Sequence, residues 1–472
     1  MVNISERSAS VESFKVMDVL QRANQLQAEG KDVLHCEVGQ PETGAPSTVA
    51  QAAVDALQVP QVMGYTDAFG MLALREKIAL HYSKYYKLEI PIPASRIVVT
   101  TGSSGAFLLA FTACFDAGDV IAIASSGYPC YRNILSALGC RQANVPINAE
   151  FKLTATELQN EIVRRKAAGK QPLKGLILSS PSNPTGSMLS PDELKALCTL
   201  CDEQGIQFLS DEIYHGISYG KQEATALQYS SKALIINSFS KYYSSKWNFF
   251  FCYGLMMEYA LLSSLKSQTD TRILHFDSPS HQQTKHQFND DINKWKVSGW
   301  RLGWMVIPEE LVEPINSLQQ NMFINAPTIS QTAAMKCWDE DTLAILQQHV
   351  EKYRTSRQLI LDQLAKISDI NPNNIAPADG GFYIYIDLGE DNVAPGLGSV
   401  KMCELFLEEK YVALTPGTDF EDPAGELGDR RFRISYAGGI ETVRQAMQRF
   451  QDFFPTWVAR VKAAKREKKT KS

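Results

Sequence analysis

The sequence has no long apolar run. Its longest, Phe249–Leu262, is interrupted by Glu258. That falls short of the roughly 20 residues a membrane-spanning helix needs, so no membrane partner is expected. Positive charge is not in excess either: 47 Lys and Arg stand against 52 Asp and Glu, for a net charge of −5. That balance gives no reason to expect a nucleic-acid partner. The basic residues that do cluster lie in KAAKREKKTKS, so residues 461–472 read as a solvated, disordered tail. The single CxxC, Cys198–Cys201, lies in the amphipathic stretch ELKALCTLCDEQG and has no second ligand pair at a suitable spacing. Helix packing is therefore expected of it, and no metal. No signal-peptide pattern is seen, so the nine scattered cysteines are expected as reduced thiols in the cytoplasm. No internal repeat is present.

What the chain does have is length and order. Its 472 residues, 44% apolar and 21% charged, suffice for two domains with substantial cores. Apolar runs repeatedly end in short Gly, Ser or Pro turns and are followed by helical periodicity. IVVTTGSSGAFLLAF, VIAIASSGYPCY and LKGLILSSPSNPTG all read this way, as do GIQFLSDEIY and ALIINSFSK. Strands alternating with helices argue for a mainly parallel sheet covered on both faces, with functional residues at the carboxyl ends of its strands. Helices are expected over 11–30, 47–58, 70–86, 309–321, 329–349, 350–368, 401–410 and 440–464. Ser190-Pro191-Asp192, with Glu193 three residues after the serine, reads as a capped helix start. GGFYIYIDL alternates like an antiparallel strand, and RFRISYA reads as another. The expected fold is α/β: a large domain with helices on both faces of a mainly parallel sheet, plus a smaller α+β domain.

The chemistry centres on IINSFSKYY, where an apolar run ends in a turn presenting Lys241. A lysine amine there can form a Schiff base with an aldehyde. Upstream, SNPTG presents Asn183, and SDEIYHG presents Asp211 and Tyr214. The turn TTGSSGAF opens a helix whose free amides, with Ser103, Ser104 and Gly105, can hold a phosphate.

With EVGQPETGAP, YTDAFGMLALREKIA, SGWRLGW and RFRISYAGG added in order from residue 37 to 439, the chain resembles the class I/II aminotransferases of pyridoxal-phosphate (PLP) fold type I. The resemblance implies PLP as cofactor, held by Lys241 as a Schiff base, with the freed lysine moving a proton as base and acid. It implies Asp211 at the pyridine nitrogen, Asn183 and Tyr214 at the phenolic oxygen, and Tyr128 against the ring. Ser103, Ser104, Gly105, Ser238 and Arg301 would hold the phosphate, and Tyr65 would reach the phosphate in the partner subunit of a homodimer. Arg433 would take the substrate α-carboxylate, since a guanidinium fork matches a carboxylate as a lysine cannot. Arg431 should share its face of the strand, and the family motif favours Arg433. Gly39 would let the substrate approach the backbone. The implied reaction moves an amino group from an amino acid, aspartate- or alanine-like or of broad range, to a 2-oxo acid such as 2-oxoglutarate. Two other readings remain open: a PLP-dependent β-lyase acting on cysteine conjugates, and a dimeric scaffold whose site is impaired.

The chain departs from the family pattern once. In SFSKYYxxSGWR the arginine follows the lysine by eight residues, whereas Arg301 follows Lys241 by 60. The surplus, residues 246–297, carries no family motif, and its three histidines are too irregularly spaced to suggest a metal site. It reads as an insertion of the kind a retained intron leaves. Ser245-Lys246 can be written AGT-AAG and Lys296-Val297 AAA-GTG, and excision between GT and AG yields SFSKYYSMSGWRLGW. The expected division is an N-terminal segment 1–45 completing the small domain, a large domain 46–325, a small domain 326–460 and the tail.

Overall fold

A computed structural model describes residues 2–59, 63–243 and 300–471. The block read as an insertion, 246–297, lies outside the described residues. An N-terminal helix, Lys15–Ala28, leads to a short strand β1 (Leu34–His35). Then come β2 (Ile97–Thr100), β3 (Val120–Ala124), β4 (Arg141–Val145), β5 (Gly175–Ser179), β6 (Gln207–Asp211), β7 (Leu234–Ser238) and β8 (Gly303–Val306). These last seven form one sheet in the order β2-β8-β7-β6-β5-β3-β4. Neighbouring strands are parallel except at β8, which runs antiparallel to both β2 and β7.

The strand sequences show why this sheet is buried on both sides. In β3, Val120 and Ala122 enter one core while Ile121 and Ile123 enter the other. In β7 the same alternation sends Ile235 one way and Leu234 and Ile236 the other. A strand with apolar residues at every position needs helices over both faces. They are supplied by Gly102–Cys114, Pro129–Ala137, Ala155–Ala167 and Pro191–Gln204, among others. The last opens as its sequence predicts: the Ser190 hydroxyl accepts from the Glu193 amide, and the Glu193 carboxylate accepts from that of Ser190. Cys198 and Cys201 are buried on its inner face.

The carboxyl-terminal part adds β9 (Tyr383–Asp387), β10 (Val412–Ala413), β11 (Thr415–Pro416) and β12 (Arg431–Ser435). Strands β11, β12 and β9 form an antiparallel sheet, and β10 pairs in parallel with β1. The amino-terminal strand is thus stitched into the carboxyl-terminal part. A closing helix, Ile440–Lys471, lays Phe450, Phe453, Phe454 and Trp457 onto Ile384, Ile386 and Phe432.

Two boundaries differ from the sequence reading. The helices expected at 329–349 and 350–368 are Thr328–Ala334 and an unbroken Glu340–Leu364. The break falls before Glu340 and Asp341, whose carboxylates favour a helix start. The tail expected to be disordered from 461 is helical as far as Lys471. Its Lys, Ala, Arg and Glu are good helix formers, and they extend a helix already nucleated by packing.

Trp457 is fully buried, and its indole N–H donates to the Asn392 carbonyl at 3.0 Å. Trp457→Ala is expected to destabilise the fold by about 3–5 kcal/mol. Denaturant unfolding measures this, and a loss under about 1 kcal/mol would contradict the packing described.

Candidate functional site

The cluster sits where strands of one direction end. Tyr128 follows β3, Asn183 follows β5, Asp211 ends β6 and Lys241 follows β7, while β2 runs straight into the helix Gly102–Cys114. Together with residues from β9, β12 and the amino-terminal segment they line a cavity of about 270 Å³. Of the residues singled out in the sequence, Gly39, Ser103, Ser104, Tyr128, Asn183, Asp211, Tyr214, Lys241, Arg301 and Arg433 all reach it. Gly105 and Ser238 do not line it. Gly105 is buried within its helix against Phe323, and the Ser238 hydroxyl lies behind Ser240, which does reach the cavity. Tyr65 stands apart, 84% exposed on the surface.

The Lys241 amine donates to the Gly39 carbonyl at 2.8 Å and lies over the rings of Tyr214 and Phe382, each at 5.7 Å. Desolvation, then the nearby charges of Arg433 and Arg301, bring its pKa down to about 8 against the pull of Asp211. Asp211 shifts the other way. It is 3% exposed, and burial raises its carboxyl to about 6 even though it accepts from the Tyr131 hydroxyl and the Ile213 amide. No ion pair satisfies it among the described residues. Tyr131 is in turn wedged edge-on beneath Tyr128, with ring centres 5.6 Å apart.

Arg433 is 4% exposed and ties three segments together. One guanidinium nitrogen donates to Asn183 Oδ1 at 2.8 Å; another donates to the Glu37 carbonyl and, at 3.4 Å, to Thr415 Oγ1. Tyr383 and Phe420 lie against its faces at 4.3 and 4.6 Å. Its Nε is buried with no hydrogen-bond partner among the described residues, so the fork keeps a donor for a ligand. Arg431 is spent elsewhere, on Asp387 and Glu421. At the other end, Arg301 lies against Gly102, where an added Cβ would come within 2.7 Å of the guanidinium. Arg301 itself sits at φ +44°, a backbone region that side-chain-bearing residues seldom occupy. The helix that starts at Gly102 has no side-chain cap, so its first amides are open to an anion.

Several wall residues went unnoticed in the sequence: Tyr383, Tyr131, Ser240, Asp419 and the amino-terminal Phe14, Val16 and Met17. The Asp419 carboxylate accepts from the amides of Lys15 and Val16 at 2.7 and 2.8 Å, which draws that segment over the cavity. Tyr131 and Tyr383 lie within SSGYPCY and GGFYIYIDL, so the motifs held the signal but not the contact. The explanation of Gly39 also changes. The space a side chain would need there holds the Tyr383 hydroxyl, 1.6 Å from an ideal Cβ.

An uncapped helix start with hydroxyls and an arginine suits a phosphate, a desolvated amine suits an aldehyde, and an unpaired buried carboxylate suits a ring cation. This donor set fits pyridoxal 5′-phosphate, and it defines an enzyme of amino-group chemistry on carboxylate-bearing substrates. Residues 31–246 and 294–450 match the family of class I and II aminotransferases. The interval left out of that match falls inside the block 246–297. The chain is 34% identical to a valine–pyruvate aminotransferase of Mycobacterium tuberculosis over 95% of this chain and 98% of that one. It is 30% identical to a (5-formylfuran-3-yl)methyl phosphate transaminase of Methanocaldococcus jannaschii over 95% and 99%. A crystal structure of an aminotransferase from Mycobacterium tuberculosis superposes with a TM-score of 0.79 at 35% identity, over 97% of this chain and all of that one. The chain belongs to the class I and II aminotransferases: it is a pyridoxal-phosphate-dependent transaminase of fold type I.

The shift of Asp211 gives a pH test. A carboxyl whose folded pKa is raised loses stabilisation as pH climbs through the window from its ordinary value to about 6, where it must ionise while buried. A cationic ring nitrogen opposite it would offset that loss. Pyridoxal 5′-phosphate is therefore expected to raise the melting temperature of the apoprotein more at pH about 8 than at about 5. Thermal melts with and without cofactor measure the difference. A gain independent of pH would contradict the pairing.

Proposed function

We propose that this transaminase moves the amino group of an amino acid with an uncharged aliphatic side chain to a 2-oxo acid. The observation that carries the proposal is the composition of the cavity wall. Its described cations are Lys241, Arg301 and Arg433, and this reading gives each a task at the cofactor or the α-carboxylate. What faces the rest of the cavity is apolar (Phe14, Val16, Met17, Val38, Ile213), with Asp419 as an additional anion. A second substrate carboxylate finds no free cation among these residues. The relative named for valine and pyruvate supports the same choice. Aspartate and 2-oxoglutarate are the competing substrates to be tested.

When bound, the cofactor supplies the electron sink that makes the substrate α-hydrogen acidic. The chain's own residues do the rest. Arg433, with Asn183 on one arm of its fork, binds and orients the α-carboxylate. Lys241, neutral above about pH 8, would accept that α-proton and return it to the carbon that had carried the cofactor's aldehyde. Asp211, held by the Tyr131 hydroxyl, would keep a proton on the cofactor's ring nitrogen. Tyr214 would donate to its phenolic oxygen. Ser103, Ser104, Ser240, Arg301 and the open helix start would hold its phosphate. Tyr65, beside exposed Leu57, Val59 and Leu72 in sequence, serves a homodimer by reaching the partner's site. The block 246–297 is no part of the active enzyme; the interval that the family match leaves out supports this.

Initial rates with valine, alanine and aspartate against pyruvate and 2-oxoglutarate test the substrate class. Valine or alanine is expected to exceed aspartate in kcat/KM by at least about tenfold, the cost of leaving one substrate charge unpaired. Aspartate as the best donor would overturn it. Arg433→Lys is expected to raise the amino-acid KM by about 10- to 100-fold, because an ammonium cannot reproduce the fork. Removal of Lys246–Val297 is expected to raise activity, and messenger-RNA reads that all retain the block would refute its being an intron.

A further inference from the structure

Tyr383 is 1% exposed and takes no part in the roles assigned above, yet it touches most of the groups that do. Its hydroxyl lies 2.9 Å from that of Tyr214. Its ring lies 4.3 Å from the Arg433 guanidinium. It fills the space over Gly39, whose carbonyl accepts from Lys241 at 2.8 Å. Tyr383 therefore touches both the carboxylate fork and the hydroxyl beside the lysine.

Two facing phenols carry two protons. In a pair at this distance one hydroxyl donates and the other accepts, and the acceptor's own proton turns elsewhere. We propose that Tyr383 is a positioning residue of this transaminase. It donates to the Tyr214 oxygen, turns the Tyr214 proton into the cavity, and holds Arg433 in place with its ring. Both hydroxyls are held neutral by burial, each with a raised pKa, so the arrangement persists across the working pH range. Both tyrosines line the cavity, but it is the Tyr214 ring that Lys241 lies over. A Tyr214 proton turned toward the cavity therefore has a use beside the lysine, and this sets the direction proposed. The proposal also gives Gly39 a reason: any side chain there would displace the Tyr383 hydroxyl and break the pair. It rests on the reading of Lys241 and Arg433 under Proposed function.

The test separates hydroxyl from ring. Tyr383→Phe keeps the ring under Arg433 and removes the proton that orients Tyr214. Expected are an approximately tenfold fall in kcat with the amino-acid KM changed less than about twofold. The visible absorption of the bound cofactor should also titrate at a higher pH, since the anionic phenolic oxygen loses an oriented donor. The charged groups around the pair, Lys241, Asp211 and Arg433, are the same in both proteins, so they do not account for a difference. Tyr383→Leu removes the ring as well and should raise KM. In a Tyr214→Phe background, Tyr383→Phe should add no further spectral shift. An unchanged titration and kcat in Tyr383→Phe, beside a normal wild-type spectrum, would overturn this inference alone. A further shift in the Tyr214→Phe background would overturn it too. Absence of any cofactor band in the wild-type chain, with and without residues 246–297, would overturn the functional reading and this inference with it.

Discussion

The buried guanidinium of Arg433 is the constraint on which the rest of the site depends. It originates in β12 of the antiparallel sheet, reaches the loop after β5 of the parallel sheet at Asn183, and holds the carbonyl of Glu37 from the amino-terminal segment. A buried charge left without partners costs several kcal/mol. Satisfying this one requires all three parts of the chain to meet at one place. Tyr383 and Phe420 close its faces to water, and its Nε has no hydrogen-bond partner among the described residues. The contact proposed for the substrate is therefore also one that fastens the two sheets to each other.

The same exclusion of water acts on the two reactive groups in opposite senses. A carboxyl loses its charge more readily when buried, and so does an amine, which raises Asp211 toward 6 and lowers Lys241 toward 8. Each is thereby displaced toward the neutral form until a ligand supplies what it lacks: a cation for the carboxyl, and an aldehyde for the amine. One cavity with one dielectric character prepares both, and it exists because the carboxyl ends of β3, β5, β6 and β7 converge under the antiparallel sheet. At the far end the helix start and Arg301 remain polar and open, which suits a phosphate.

Much of this could be read from the chain. Each apolar run that ended in a polar turn became a strand followed by a functional loop, because alternate residues of β3 and β7 face different helical layers. The helix start at Ser190 formed as its capping residues indicate. Lys241, Asp211 and Asn183 stood out because polar residues sat at the ends of those runs, and Arg433 through the family motif RFRISYAGG. Legibility failed where the meaning of a residue lay in a distant partner. Nothing in GGFYIYIDL says that Tyr383 meets Tyr214 and Arg433, and nothing near position 419 says that its carboxylate receives the amides of Lys15 and Val16. Helix ends were misjudged for a related reason. The break before Glu340 and the extension to Lys471 depend on packing and on the electrostatics of the first turn, which apolar periodicity does not record.

By itself the sequence determined the strand and helix order, the family, and which residues carry charge or nucleophilic character, because these follow from local periodicity and from residue chemistry. Only the tertiary structure showed that Arg431 is engaged by Asp387 and Glu421, which serine of Ser238 and Ser240 reaches the cavity, and what fills the space beside Gly39. Those are questions of distance between segments hundreds of residues apart. They are settled by close packing and by the requirement that every buried polar group find its partner.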